Sequence, residues 1–128
     1  MNKPELKGEV WVIDDEELLV EMTASMLRNR WPGLKLRCFT DSRKAWAALQ
    51  RRQPDLVITG SQMPAASGEE IVTGLRKMEA RCEILVVSGY APARVWVRRH
   101  RGVKFLAKPF TERQLARAAG ALLRRGRR

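Results

Sequence analysis

The sequence predicts an α/β fold in which five parallel strands form a doubly wound sheet flanked by five helices. Short apolar runs of strand length alternate strictly with segments whose apolar residues recur at helical spacing. Most of these runs are apolar throughout, as is typical of strands buried on both faces. Strict alternation of strands and helices favours a parallel sheet with helices on both faces. We expect one domain over residues 1–128, with a core over about 9–123 and a basic tail over 124–128.

The first half of the chain predicts two strand–helix units. The run Glu9–Asp14 is apolar and ends in acid, as expected for a buried strand. The helix after it is indicated by apolar residues at helical spacing, namely Leu18, Leu19, Met22, Met26 and Leu27. Trp31-Pro32-Gly33 ends this helix, because proline lacks an amide donor and glycine tolerates positive φ. Leu34–Phe39 begins by alternating apolar and basic residues, which predicts a half-exposed strand, and Asp41-Ser42 begins the second helix.

The second half predicts three more units. Its strands are short apolar runs, namely Leu56–Thr59, Ile84–Val87 and Val103–Ala107. A helix beginning at Gly68 follows the first run, and residues 93–100 are assigned to a helix after the second. Thr111 and Gln114 have the spacing of a capping box and predict the start of the last helix.

The positive charge is concentrated in the last part of the chain. The net charge is +11, but residues 1–93 carry 13 basic and 13 acidic side chains and contribute nothing to it. Residues 94–128 carry 12 basic side chains and one acid, Glu112, so they account for all of the excess. Such asymmetry concerns partners and solubility rather than the fold.

Five residues lie at or just after the predicted strand ends: Asp14, Asp15, Gly60, Ser88 and Lys108. Sites in parallel sheets form at the carboxyl ends of the strands, so we expect these residues to converge. Adjacent carboxylates can bind Mg²⁺, and a hydroxyl with an ammonium can hold phosphate oxygens. Three of them have a structural alternative: Asp15 as the N-cap of the first helix, Ser88 as a turn residue, and Lys108 as a solvated cation or a partner of Asp14.

The order of these motifs resembles the response-regulator receiver family of two-component phosphorelay signalling, from about Glu9 to Leu123. The fragments that carry the resemblance are Val-Ile-Asp-Asp-Glu, Pro-Asp-Leu-Val-Ile-Thr, Met-Pro, Val-Val-Ser-Gly-Tyr-Ala and Phe-Leu-Ala-Lys-Pro-Phe. The expected sheet has the flavodoxin-like order 2-1-3-4-5, whose switch point lies beside strand one.

The resemblance implies a role for each residue of the site. It assigns a Mg²⁺ site to Asp14, Asp15 and Gln62, the last through its backbone carbonyl. Ser88 would be the hydroxyl that follows the phosphoryl group, and Lys108 the cation that neutralises phosphate oxygens. Phe105 would be the aromatic whose rotamer couples the site to the surface of helix four, strand five and helix five.

Gly60 departs from the family pattern, because the resemblance implies the phosphate-accepting aspartate at this position. Glycine supplies neither a nucleophile nor a metal ligand, so we expect no catalytic residue, no enzymatic activity, and no bound cofactor beyond weak Mg²⁺ binding. We also expect Lys108 to contact Asp14 or Asp15 directly. The chain would then be a phosphorylation-independent protein-interaction module.

Two alternatives stay open at the level of the sequence. The first is a working phosphoacceptor, through Ser61 or Thr59, or a receiver deliberately disabled at Gly60. The second is a basic nucleic-acid-binding module. It is disfavoured because the chain has no evident helix-turn-helix, and Trp96 beside Arg98 and Arg99 is its only candidate stacking platform.

The expected partner is a histidine kinase or a downstream signalling protein with an acidic surface. It would dock on the basic face of helix four, strand five and helix five, because arginine suits carboxylate and phosphate groups. Residues 1–8 are polar and charged and no apolar run could span a bilayer, so we expect a cytoplasmic protein without membrane contacts. Cys38 and Cys82 are expected to be buried free thiols.

Overall fold

The computed structural model describes residues 5–126 and confirms the predicted sheet: five parallel strands in the order β2-β1-β3-β4-β5. The strands are β1 (Gly8–Ile13), β2 (Leu34–Phe39), β3 (Leu56–Thr59), β4 (Glu83–Ser88) and β5 (Lys104–Ala107). The helices are α1 (Glu17–Arg30), α2 (Ser42–Arg51), α3 (Gly68–Lys77), α4 (Ala93–Arg98) and α5 (Glu112–Arg125). No helix in this part of the chain is long and apolar enough to cross a membrane.

Two apolar layers cover the faces of the sheet. Alternate residues of a strand point to opposite faces, so Val10 and Val12 pack on one side and Trp11 and Ile13 on the other. The first layer includes side chains of α1 and α5, and the second includes side chains of α2, α3 and α4. Trp11 is fully buried. This arrangement explains why the central strands are apolar throughout.

The start of α1 differs from the sequence prediction. Glu16, rather than Asp15, occupies the N-cap position, and its side chain makes no capping hydrogen bond. The Glu16 amide instead donates to Oδ1 of Asp14 at 2.9 Å. Because β1 already ends at Ile13, residues 14–16 form the connection to the helix, and Asp14 is the residue that satisfies a free amide there.

The elements near the C-terminus are shifted by one or two residues from the prediction. Helix α4 spans only Ala93–Arg98, and Val103 precedes β5 rather than beginning it. Helix α5 continues through Arg125, so the first two residues of the predicted tail are helical. Arg127 and Arg128 lie outside the described residues.

The two cysteines have different environments. Cys82 is buried, as predicted, and burial raises the pKa of its thiol to about 11. Cys38 is exposed, so the prediction of a buried thiol there was wrong. It lies on β2, an edge strand whose outer residues are only partly covered, which explains its exposure.

Candidate functional site

The carboxyl ends of the strands are tied together by backbone hydrogen bonds. The Asp14 amide donates to the Phe39 carbonyl at 3.1 Å, and the Gly60 amide donates to the Ile13 carbonyl at 2.9 Å. At the other side of the site, the Lys108 amide donates to the Ser88 carbonyl at 3.0 Å. These bonds extend the sheet register by one residue and hold the predicted site residues at one edge.

Asp14 occupies the space beside Gly60. A Cβ built on Gly60 would lie 2.7 Å from Oδ2 of Asp14 and 3.2 Å from its Cγ. Real side chains do not approach that closely, so the present position of the Asp14 carboxylate requires glycine at position 60. No feature of the sequence alone indicated this packing.

Lys108 contacts the same carboxylate oxygen. Its Nζ lies 3.2 Å from Oδ2 of Asp14, which confirms the predicted contact, and 3.5 Å from Oε1 of Glu16. Asp14 is 5% exposed, whereas Glu16 is largely in solvent. The buried contact to Asp14 is therefore the one less screened by water.

Burial determines the protonation behaviour of Asp14. Desolvation raises the pKa of its carboxyl group above the ordinary value of 3.8, and it outweighs the Glu16 amide and Lys108, which act in the opposite direction. The Asp14 carboxylate thus accepts from two donors but is partly desolvated.

Two serine hydroxyls form a second polar contact beside this pair. Ser61 Oγ and Ser88 Oγ are 2.5 Å apart, and both residues are buried. Ser88 Oγ also accepts from the Tyr90 amide at 2.9 Å. Ser88 therefore lies at the site as predicted, with its hydroxyl already engaged.

Asp15 and Gln62 are exposed and line a cleft of about 660 Å³ between the β3–α3 and β4–α4 connections, together with the buried Ser61. Tyr90, Pro92 and Trp96 form its other side. Asp15 therefore lies at the same edge of the sheet, with its side chain exposed.

Both carboxylate oxygens of Asp14 have hydrogen-bond partners. Oδ1 of Asp14 accepts from the Glu16 amide, and Oδ2 contacts Lys108. Within residues 5–126, no group of three or more acidic, histidine or cysteine side chains is placed to hold a metal ion. Hard cations prefer several oxygen ligands, and both carboxylate oxygens of Asp14 are engaged by other partners.

Phe105 is half-buried on β5, away from the polar contacts. It packs against the apolar layer of α2, α3 and α4, and the Arg94 guanidinium carbon lies 4.7 Å from its ring centroid. Guanidinium groups are attracted to aromatic faces at such distances. Arg94 of α4 therefore covers the aromatic side chain that the resemblance assigns to switching.

No role for Glu16 was predicted from the sequence. Its amide binds Asp14 and its carboxylate reaches Lys108. The available signal in the sequence was that Glu16 directly continues the acidic run of Asp14 and Asp15.

Comparing Asp14→Asn with the unmodified chain over a series of pH values should isolate the contribution of the Asp14 carboxyl group to the free energy of unfolding. Because its pKa is higher in the folded chain than the unfolded value of 3.8, the folded state binds more protons between those two values. Its contribution to the free energy of unfolding should therefore fall as pH rises from 3.8 through the raised pKa.

The measurement is the free energy of unfolding by urea at several acidic pH values. Asp14→Asn should lose that fall, whereas the unmodified chain should show it. Parallel curves for Asp14→Asn and the unmodified chain would contradict a raised pKa.

Comparison with known proteins agrees with this architecture. The family model described as response regulator receiver domain matches residues 10–119. The response regulator protein TodT of Pseudomonas putida is 26% identical over 117 residues, covering 90% of this chain and 51% of its own length. The sensory transduction protein RegX3 of Mycobacterium tuberculosis is 29% identical over 118 residues, covering 91% and 51%. The chain thus spans about half the length of these relatives.

Solved structures show the same fold. The receiver domain of the Francisella response regulator 1452 superposes with a TM-score of 0.81 at 19% identity, covering 92% of this chain and 98% of that one. The chemotaxis response regulator CheY4 of Vibrio cholerae gives a TM-score of 0.79 at 22% identity, covering 91% and 98%. With the matched sequence model, these likenesses show that the chain belongs to the response regulator receiver domain family.

Proposed function

We propose that this receiver domain is degenerate at the phosphoacceptor position and acts by binding a protein partner without being phosphorylated. The observation that carries the proposal is the packing of Asp14 against Gly60. Oδ2 of Asp14 lies 2.7 Å from the point where the Cβ of any side chain at position 60 would be, and Lys108 contacts the same oxygen.

Phosphoryl transfer needs a nucleophile, and glycine supplies none. Asp14 is a poor substitute, because it is buried and each of its oxygens already has a partner. Ser61 and Ser88 bond to each other, and within residues 5–126 no carboxylate or imidazole accepts from either hydroxyl. A serine hydroxyl without a base is weakly nucleophilic. These contacts support a loss of acceptor chemistry rather than its transfer to a neighbour.

The loss of a carboxylate also supports weak Mg²⁺ binding. A receiver with an acidic side chain at position 60 would add an oxygen ligand beside Asp14. In this chain that ligand is absent, and Lys108 contacts Oδ2 of Asp14. We propose that a cation competes poorly with the Lys108 ammonium for Oδ2 of Asp14.

The proposed binding face consists of α4, β5 and the adjoining side of α5. Arg94 is fixed over Phe105, and Arg98, Arg99 and Arg101 are exposed nearby. A cluster of cations suits an acidic partner, and the family suggests a histidine kinase or a downstream signalling protein. Lys108 already contacts Asp14. The binding face would therefore have one resting conformation, instead of two conformations whose balance depends on phosphorylation.

Intact-mass analysis with a small phosphodonor and Mg²⁺ tests the proposal. The unmodified chain is expected to gain no phosphoryl group, and Gly60→Asp is expected to gain one. Gly60→Asn, similar in size but without a carboxylate, serves as the control and should stay unlabelled. Labelling of the unmodified chain, mapped to Ser61 or Asp14, would show that a different acceptor operates and would overturn the proposal.

A further inference from the structure

Four arginines line a groove between α1 and α5, on a different side of α5 from the proposed protein-binding face. They are Arg30 at the end of α1 and Arg113, Arg117 and Arg124 along α5. The groove has a volume of about 480 Å³, which is within the range of small-molecule sites. Its remaining lining residues are Trp31, Ala116 and Ala121, so no acid lines it.

The charge of the groove is uncompensated. Across residues 5–126, none of the four arginines makes an ion pair with a carboxylate. The neighbouring Arg125 shows the contrast, because it holds Glu83 through two hydrogen bonds of 3.0 and 2.8 Å. Four cations gathered without a counter-charge repel one another, so an anion in the groove would relieve that repulsion.

The groove is built on a packed floor. Trp31 is 5% exposed, and the Arg30 guanidinium carbon lies 6.0 Å from its ring centroid. A Cβ on Gly120 would lie 3.1 Å from both the Trp31 ring and Nη1 of Arg124. The side chain of Arg124 therefore lies across Gly120 beside the indole, and a larger residue at position 120 would disturb both.

The spacing of the arginines indicates an elongated anion. Arg113 and Arg117 are one helical turn apart, and Arg124 lies about two turns further, which together spans about 16 Å along the helix axis. Guanidinium groups bind phosphate oxygens in pairs and stay charged at all ordinary pH values. A ligand with several phosphates in line would engage successive arginines.

The lining also discriminates between anionic partners. A protein segment would be expected to place apolar anchors, yet apart from the buried Trp31 the groove offers only two alanines. A single-stranded nucleic acid would be expected to stack bases on exposed aromatic rings, and the groove has none. We propose that this groove binds a linear phosphoanhydride chain, either inorganic polyphosphate or the polyphosphate arm of a nucleotide.

Calorimetric titration of the full chain with inorganic tripolyphosphate, ATP and orthophosphate tests this. Tripolyphosphate should bind more tightly than orthophosphate, and its affinity should fall as salt is raised. The double variant Arg113→Gln/Arg117→Gln should weaken tripolyphosphate binding by about tenfold or more. The matched control Arg43→Gln/Arg51→Gln removes the same charge from the exposed side of α2 and should change it by less than about twofold.

Comparison of the ligands identifies the source of the phosphate groups, and comparison of the two double variants tests the groove as the binding site. Equal affinity for tripolyphosphate and ATP would show that the groove recognises only the phosphoanhydride chain. Tighter binding of ATP would show that it recognises a nucleotide. An equal loss of tripolyphosphate affinity in the two double variants would mean that binding depends on the overall charge of the chain. That result would overturn the proposed site. Absent binding, or tighter binding of a poly-glutamate peptide or an oligothymidylate of matched charge, would overturn it as well. Circular dichroism melting of both variants confirms that they are folded.

Discussion

Gly60→Asp is expected to make the stability of the fold depend on divalent cations. The new Cβ would lie 2.7 Å from Oδ2 of Asp14, so the Asp14 carboxylate must leave its present position. Without a metal, the substitution forces two carboxylates together beside one ammonium. We expect a loss on the order of 2 kcal/mol in the free energy of unfolding from this crowding and repulsion.

Mg²⁺ should reverse part of this loss, because the variant gathers a third acid near Asp14 and Asp15. A ligand that binds only the folded state at 100 times its dissociation constant adds about 2.7 kcal/mol. Urea unfolding with EDTA and with saturating MgCl₂ measures the effect. Gly60→Asn introduces similar bulk without charge, and should be destabilised to the same extent with and without Mg²⁺. Equal stability of Gly60→Asp and of the unmodified chain in EDTA would contradict this expectation.

Gly68→Ala is the second substitution with a large expected effect. Alanine normally favours a helix over glycine by up to about 1 kcal/mol. At this position, however, a Cβ would lie 2.1 Å from the Gly60 carbonyl oxygen and 2.9 Å from the Ser61 Cα. Both are backbone atoms, which cannot rotate away. The Gly68 amide is also bonded to the Ser61 carbonyl at 2.7 Å, so the loop cannot move without losing that hydrogen bond.

We therefore expect Gly68→Ala to lower the free energy of unfolding by about 3 kcal/mol, opposite in sign to helix propensity. Thermal and urea unfolding provide the measurement. Gly89→Ala is the matched control, because its Cβ would meet only the Lys108 Cβ at an ordinary 3.7 Å. That variant should change stability by less than about 1 kcal/mol. Equal effects of the two substitutions would exclude the close approach at Gly68 as the cause.

The sequence predicted the sheet well because its signals are local and repeated. Each strand is a short apolar run, and the direction and order follow from rules on how alternating units pack. The position of Lys108 beside Asp14 was also predictable, because both residues follow strand ends and carry opposite charges.

The parts that could not be predicted depend on the packing of particular side chains. Nothing in the order of residues indicates that the Asp14 carboxylate turns against Gly60, or that Asp15 faces a cleft instead. The exposure of Cys38 depends on how much of an edge strand its neighbours cover. The groove beside α5 requires knowing which arginines of a basic segment share one side of the helix.

The contrast between Cys38 and Cys82 provides the chain with its own unfolding reporter. The exposed thiol can be alkylated in the folded protein, at alkaline pH because its pKa is raised by partial desolvation. The buried thiol is protected by packing and by a pKa of about 11, so it should react only when the structure around it opens. Counting one or two alkyl groups by mass after a brief pulse would thus separate folded from opened molecules. This readout needs neither an engineered cysteine nor a dye, and it applies unchanged to every variant discussed above.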